Sequence, residues 1–198
     1  MKLLGRKTSG NVQKVMFLFE ELKMPYERVD VGRQFNNTQT PEYLAKNPNA
    51  KVPTLEDGAL VIWESNTILR YVAAKAKSPL YPADPAKRTQ VERWMDWQLS
   101  ALNNPYLAMF REAKLEPEKR GADFAAQLKD FAAQLAILDK AIGGGWVAGS
   151  EMSLADICLA PIVYRCIRFG VELPALPNVK RWDEVVGARE SFKKATAA

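Results

Sequence analysis

Four short segments carry residue types that can do chemistry. The first is Thr8-Ser9-Gly10-Asn11, where two hydroxyls and an amide precede a helix-like stretch. In open α/β sheets ligands bind beyond the carboxyl ends of strands, close to helix N-termini. Polar groups placed there donate hydrogen bonds to an anion. The plain alternative is a helix cap, with Ser9 or Asn11 satisfying backbone N–H groups of the first turn. The second is Lys51-Val52-Pro53-Thr54-Leu55. Proline is tolerated as the first residue of a strand. A cis Val52–Pro53 bond would instead turn the Val52 backbone outward, leaving its N–H and C=O free to pair with a peptide-like ligand. The third is Trp63-Glu64-Ser65-Asn66. Ser65 at a helix start offers a hydroxyl and backbone N–H groups to a carboxylate, and Glu64 beside it can hold an ammonium. The pair suits an amino-acid head group, unless both are ordinary first-turn residues. The fourth is aromatic: Trp94, Trp97, Tyr106 and Phe110, with Arg111. Aromatics at helical spacing serve either as core or as the wall of an apolar pocket. Tyr106 and Arg111, after the break Asn103-Asn104-Pro105, are the better placed for an open cleft.

Other chemistries are excluded by what is missing. The chain has no histidine, so Ser-His-Asp and Cys-His machinery and imidazole zinc sites are ruled out. Acid–base work near neutral pH would fall to perturbed Glu, Lys, Tyr or Cys. Cys158 and Cys166 lie eight residues apart, about 12 Å along a helix and too far for a disulfide. Both read as small buried hydrophobes, and no metal is expected. The net charge of +5 is spread among interrupting acidic residues, which indicates a solvated surface and no nucleic-acid partner.

The elements that must position these segments show two textures. The 198 residues are 47% hydrophobic and 26% charged, as in folded globular chains, and their number allows one large domain or two small ones. Leu3-Leu4 reads as a brief strand. Val12, Val15, Met16, Phe19 and Leu22 recur at helical spacing, with Pro25 ending that helix. Tyr26 to Val31 alternates as a strand, which completes a βαβ unit with parallel strands. Asp57-Gly58 is a two-residue hairpin signal between strand-like flanks, and a helix follows from Ser65 through Ala76. The expected order over residues 1–77 is βαβαββα. Residues 78–86, with three prolines in Ser78 to Pro85, read as a linker.

Residues 87–198 show helical periodicity and no convincing strand. Val91, Trp94, Met95, Gln98 and Leu102 mark one helix. Phe124, Leu128, Phe131, Leu135, Leu138 and Ile142 mark another, ended by Gly143-Gly144-Gly145. Ser153 and Asp156 form a capping box, with Met152 facing Ile157 as a staple. Pro161 predicts a kink in that helix, and Asn178 to Trp182 opens a last one. The longest apolar run, Ile157 to Tyr164, contains Pro161 and is far short of the roughly 20 residues that span a bilayer. The start has no apolar signal-peptide core. A soluble, cytoplasmic protein without a membrane partner is expected.

Taken in order, these features resemble the glutathione S-transferase family, a thioredoxin-like α/β domain followed by an all-α helical bundle. The resemblance rests on Lys51-Val52-Pro53, on Glu64-Ser65 with Ile68-Leu69-Arg70-Tyr71, and on Ser153-Leu154-Ala155-Asp156. It implies a cis Val-Pro bond and a backbone that pairs with the cysteine of glutathione, the co-substrate. It makes Val52, Glu64 and Ser65 glutathione ligands oriented by Pro53, with Lys51 reaching the glycyl carboxylate and Asn36 or Thr38 a poorer choice. The serine-type pattern, counted back from Lys14-Val15, falls on Ser9 as the catalytic residue. Thr8 and Asn11 can share or replace that role, as in bacterial Thr/Asn members. Tyr106, Phe110 and Arg111, together with Arg165 or Phe169, would line the electrophile pocket of the helical domain. The resemblance further implies a homodimer, with Phe35 a candidate contact, and a detoxifying transfer of the thiolate to a small hydrophobic electrophile. The alternatives are a glutathione-dependent disulfide reductase, an isomerase of similar fold, and a non-catalytic glutathione or ligand scaffold.

Overall fold

In the computed structural model, which describes residues 1–197, the chain forms two compact units: Met1–Tyr81 joined by the stretch from Gly187 onward, and Pro82–Val186. The first unit holds β1 (Lys2–Leu4), α1 (Gly10–Glu21), β2 (Glu27–Val29), α2 (Pro41–Leu44), β3 (Thr54–Asp57), β4 (Leu60–Trp63) and α3 (Ser65–Lys75). Its sheet runs β2-β1-β3-β4, with β1 and β2 parallel and the other pairs antiparallel. The βαβαββα order and the parallel first pair follow the sequence reading. Leu3, Leu55, Val12, Val15, Phe17, Leu18 and Phe19 are buried without exposure, so the sheet packs its apolar face on a helix whose middle is apolar on most sides.

Besides β2, which spans only Glu27–Val29 of the strand expected from Tyr26 to Val31, two boundaries differ from expectation. α1 stops at Glu21, four residues before Pro25, because Lys23 turns to a left-handed φ of 52°. Proline therefore follows the stop and does not cause it. In the β3–β4 hairpin the two-residue loop is Gly58-Ala59, since Asp57 pairs with Leu60. Gly58 takes the positive φ, 61°, as the first loop position of a II′ turn favours. The one-residue shift leaves Asp57 in the strand, where its carboxylate accepts from the Tyr71 hydroxyl at 2.7 Å and from Lys75.

The second unit is helical: α4 (Pro85–Trp97), α5 (Asn103–Glu112), α6 (Phe124–Ile142), α7 (Leu154–Cys166) and α8 (Pro177–Gly187). An isolated bridge, Trp146 to Gly149, is its β pairing among the described residues. Asp84 caps α4 by accepting from the Lys87 amide at 2.9 Å. The break expected at Asn103-Asn104-Pro105 is absent. A π-helical turn over Gln98–Leu102 carries α4 into α5, and Pro105, which has no backbone N–H to give, follows directly after that widened turn.

The capping box of α7 is present. Asp156 is fully buried and accepts from the Val147 amide (3.0 Å), the Ser153 amide (2.8 Å), the Ser153 hydroxyl (3.1 Å) and the Trp182 indole (2.9 Å). Burial pushes its carboxyl above the ordinary range even against these donors. α7 continues through Pro161 to Cys166. Both cysteines are buried thiols, and burial raises that of Cys166 far up.

The last helix, α9 (Glu190–Thr196), belongs to the first unit and packs on α1. Phe192 meets Phe17 edge-on, with ring centroids 5.2 Å apart. Arg189 forms an ion pair with Glu21, and the Ser191 hydroxyl donates to the same carboxylate at 2.5 Å. Among the described residues no helix is long and apolar enough to cross a membrane.

Candidate ligand site at one end of the sheet

Strand register gathers three of the four candidate segments. Leu4 is paired with Thr54, and Thr54 with Trp63. The chain leaving β1, the chain entering β3 and the chain leaving β4 therefore meet at the same end of the sheet. These are the stretches holding Thr8-Ser9-Gly10-Asn11, Lys51-Val52-Pro53 and Glu64-Ser65. Gly5 keeps the approach tight. A Cβ there would lie 2.5 Å from Cγ2 of Val12 and 3.4 Å from Cβ of Val52. A hydrogen bond from buried Lys14 to Oδ1 of buried Asn66, 3.4 Å, ties α1 to α3 just behind the two helix starts.

Ser9 occupies the N-cap position of α1 with extended backbone (φ −81°, ψ 124°), and its side chain caps nothing. Its carbonyl begins the helix by accepting from the Gln13 amide at 2.9 Å. The hydroxyl is thus not spent on the cap that the plain reading offered it. Thr8 is exposed beside it. Asn11 keeps Oδ1 buried with no hydrogen-bond partner, but an amide oxygen accepts and cannot steady an anion; only its nitrogen can. Neither α1 nor α3 carries an acidic side chain in its first turn, so the N-terminus of α1 keeps its positive field, while that of α3 has the Glu64 carboxylate at its N-cap position. Ser65, the first residue of α3, is 3% exposed. Glu64 before it is exposed and holds a φ of 70°, an unusual conformation for a residue with a side chain.

The Val52–Pro53 bond is cis, as the resemblance implied. Among the described residues, the amide and carbonyl of Val52 enter no hydrogen bond within the protein. The neighbouring Lys51 carbonyl is held twice, by the Tyr43 hydroxyl at 2.6 Å and by Nδ2 of Asn47 at 2.9 Å. The same two side chains reach Oγ1 of Thr54, at 3.0 and 3.1 Å. Tyr43, Asn47 and Thr54 are buried, and burial pushes the Tyr43 hydroxyl above its ordinary value. Sequence reasoning passed over Tyr43 and Asn47. The available signal was Thr40-Pro41, an N-cap followed by proline at the first helical position, which fixes the turn that carries Tyr43. The Lys51 side chain is exposed.

The fourth segment lies in the second unit. Tyr106 is 7% exposed, with ring centroids 6.0 Å from Phe110 and 5.8 Å from Phe169. Phe110 and Phe131 also face Phe169, at 6.3 and 6.0 Å. Arg111 is not part of this aromatic group. It lines a hollow of about 360 Å³ with Asn104, Pro105, Leu107, Gln127 and Asp130. One residue turns a helix by about 100°, which is why Phe110 and Arg111 diverge.

Comparison with known proteins bears on the same features. Residues 1–74 match the family model "Glutathione S-transferase, N-terminal domain" and residues 102–190 match "Glutathione S-transferase, C-terminal domain". Glutathione S-transferase GstB of Escherichia coli is 36% identical over 198 residues, covering 97% of this chain and 95% of that protein. Glutathione S-transferase 3 of Zea mays is 33% identical, covering 100% and 94%. The crystal structure of the theta class glutathione S-transferase from Xanthomonas axonopodis pv. citri with glutathione bound superposes with a TM-score of 0.92. It is 35% identical and covers 100% of this chain and 97% of that one.

Proposed function

Because the chain belongs to the glutathione S-transferase family, we propose that it holds glutathione at this end of the sheet, lowers the pKa of its thiol with Ser9, and adds the thiolate to a small hydrophobic electrophile. The observation that carries the reading is an unused set of donors and acceptors: the Val52 amide and carbonyl, the Ser9 hydroxyl, and two helix starts with no acidic side chain inside their first turns. A peptide backbone pairs with the first, an incipient sulfur anion with the second, and a carboxylate with the start of α3.

In this reading Val52, Ser65 and Glu64 take the peptide portion and the γ-glutamyl head group, with Pro53 orienting Val52 and Lys51 reaching the glycyl carboxylate. Residues 1–77 supply the glutathione ligands, and the helical second unit, which ends at Val186 and not at the expected residue 198, receives the electrophile through Tyr106 and Phe110. Arg111 takes part only for an electrophile long enough to reach its hollow. A free thiol has a pKa near 8.5, and only its thiolate attacks. Lowering it by about two units needs a preference for the anion of roughly 2.7 kcal/mol. One charge-assisted hydrogen bond contributes about 1.5–3 kcal/mol, so the Ser9 hydroxyl with the α1 N-terminus suffices. Thr8 and the Asn11 amide nitrogen are the reserve donors. A cytoplasmic, detoxifying homodimer completes the proposal, with 40%-exposed Phe35 at its contact.

Calorimetry with glutathione, followed by conjugation to an aromatic halide beside reduction of a glutathione mixed disulfide, tests the reading. Uptake with conjugation supports it. Disulfide reduction alone transfers it to the reductase alternative, uptake without thiolate absorbance at neutral pH to the scaffold, and no uptake at millimolar glutathione ends it.

A further inference from the structure

Resting on that reading, we infer that Tyr43 and Asn47 are positioning residues for glutathione, acting through the Lys51 carbonyl. The argument starts from what Val52 must do. Two hydrogen bonds to a peptide need its amide and carbonyl aimed outward together, and neither is fixed by the sheet, which begins at Thr54. Something else must fix the strand entry.

The structure supplies it from behind. Tyr43, in the single turn of α2, and Asn47 beyond it donate to the Lys51 carbonyl at 2.6 and 2.9 Å. Both also bond Oγ1 of Thr54, so the bracket closes on each side of Val52-Pro53. Asn47 is itself braced: its Oδ1 accepts from the Asn49 amide at 3.0 Å, and its carbonyl accepts from Ala50 at 3.1 Å. Tyr43 is 5% exposed and packs in a small cluster with Leu4 and Val31, against which Val52 itself lies. Buried polar groups satisfied in this way hold one arrangement, since any other leaves donors unpaired. The bracket touches no ligand position directly. Its effect on chemistry passes entirely through where Val52 points.

Tyr43→Phe removes one donor and keeps the ring. Losing one neutral hydrogen bond that holds a ligand group is worth about 3- to 10-fold in an equilibrium constant. The expected result is a KM and dissociation constant for glutathione raised by about that factor, with kcat at saturating glutathione and the KM of the aromatic halide within about twofold of the parent. Asn47→Ala should act in the same direction. Tyr26→Phe is the control. From beyond the end of α1 its hydroxyl also makes a part-buried hydrogen bond, to Glu20 in the last turn at 3.4 Å, and its loss should lower Tm without moving the KM for glutathione. If Tyr43→Phe lowers Tm as the control does while the KM for glutathione stays put, the residues are merely structural and the inference falls. If the parent protein takes up no glutathione, the functional reading falls first and takes this inference with it.

Discussion

Replacing Ser9 by alanine separates the two tasks a serine can perform where a strand becomes a helix. A capping serine loses roughly 1 kcal/mol of stability when truncated, which in a chain of this size lowers Tm by about 2–4 °C. The Ser9 side chain makes no capping bond, so Tm of Ser9→Ala should stay within about 1 °C of the parent. Its cost belongs to the bound thiol. Removing a charge-assisted hydrogen bond of about 1.5–3 kcal/mol raises the pKa of bound glutathione by about one to two units. The thiolate is then scarce at pH 6.5, and turnover there should drop about 5- to 50-fold. Above about pH 9 the thiol ionises in either protein and the gap should narrow. Thiolate absorbance of the binary complex, titrated from pH 5 to 10, reads the pKa directly. Calorimetry should give nearly the parent affinity for glutathione, because Val52, Glu64 and Ser65 are untouched. A pKa and rate that do not move would refute Ser9 as the activating group and pass the role to Thr8 or Asn11. A fall in Tm would show that the hydroxyl is a cap after all.

Other consequences can be checked separately. Burial tends to raise the Glu21 carboxyl, but the hydrogen bonds from Arg189 and Ser191 and the charge of Arg189 outweigh it and hold it below its ordinary value of 4.5. A carboxyl lowered in the folded state contributes stability in full above that value and loses it as the pH falls further. Arg189→Met should therefore lower Tm at pH 7 and flatten its decline below pH 4.5, as followed by circular dichroism. Phe192→Ala opens a cavity against Phe17 and should cost about 3–5 kcal/mol in urea unfolding. Asp156→Asn places an amide nitrogen among four donors and should lower Tm by about 6–12 °C, for about 3 kcal/mol lost. Cys158 and Cys166 should resist a thiol reagent at pH 8 until the protein is unfolded, since both are buried and burial raises the Cys166 thiol.

Local chemistry was readable in the sequence wherever one residue type dictates one geometry. Ser153 and Asp156 name their helix start because a capping box needs those side chains at that spacing. The positive φ of Gly58 placed the hairpin to within one residue; only the pairing of Asp57 with Leu60 decides which residue opens the loop. Pro25 is the louder signal near the end of α1, whereas Lys23 in a left-handed conformation, which ends the helix, has no signature of its own. Asparagines and a proline are poor helix formers, which gives the passage from α4 to α5 the look of a break. A π turn over Gln98–Leu102 comes just before them, and burial of Gln98 and Leu102 outweighs the propensity, so the helix runs on into α5. Within the site, Val52 and Ser65 were visible beside Pro53 and Glu64. The bracket of Tyr43 and Asn47 was not, because its partners are a carbonyl and a threonine four to eleven residues away, outside any shared helix or strand whose periodicity would mark them.

The return of α9 to the first unit sets an order of assembly. Residues 82–186 intervene between the sheet and the helix that covers α1 through Phe192 and Arg189. On a ribosome that stretch must emerge before α9 exists to dock. The four strands can pair early, yet the outer side of α1 stays bare until all of the second unit has been made. A nascent chain paused after Val186 would accordingly expose Phe17, and chaperones that seek aromatic surface would find it there.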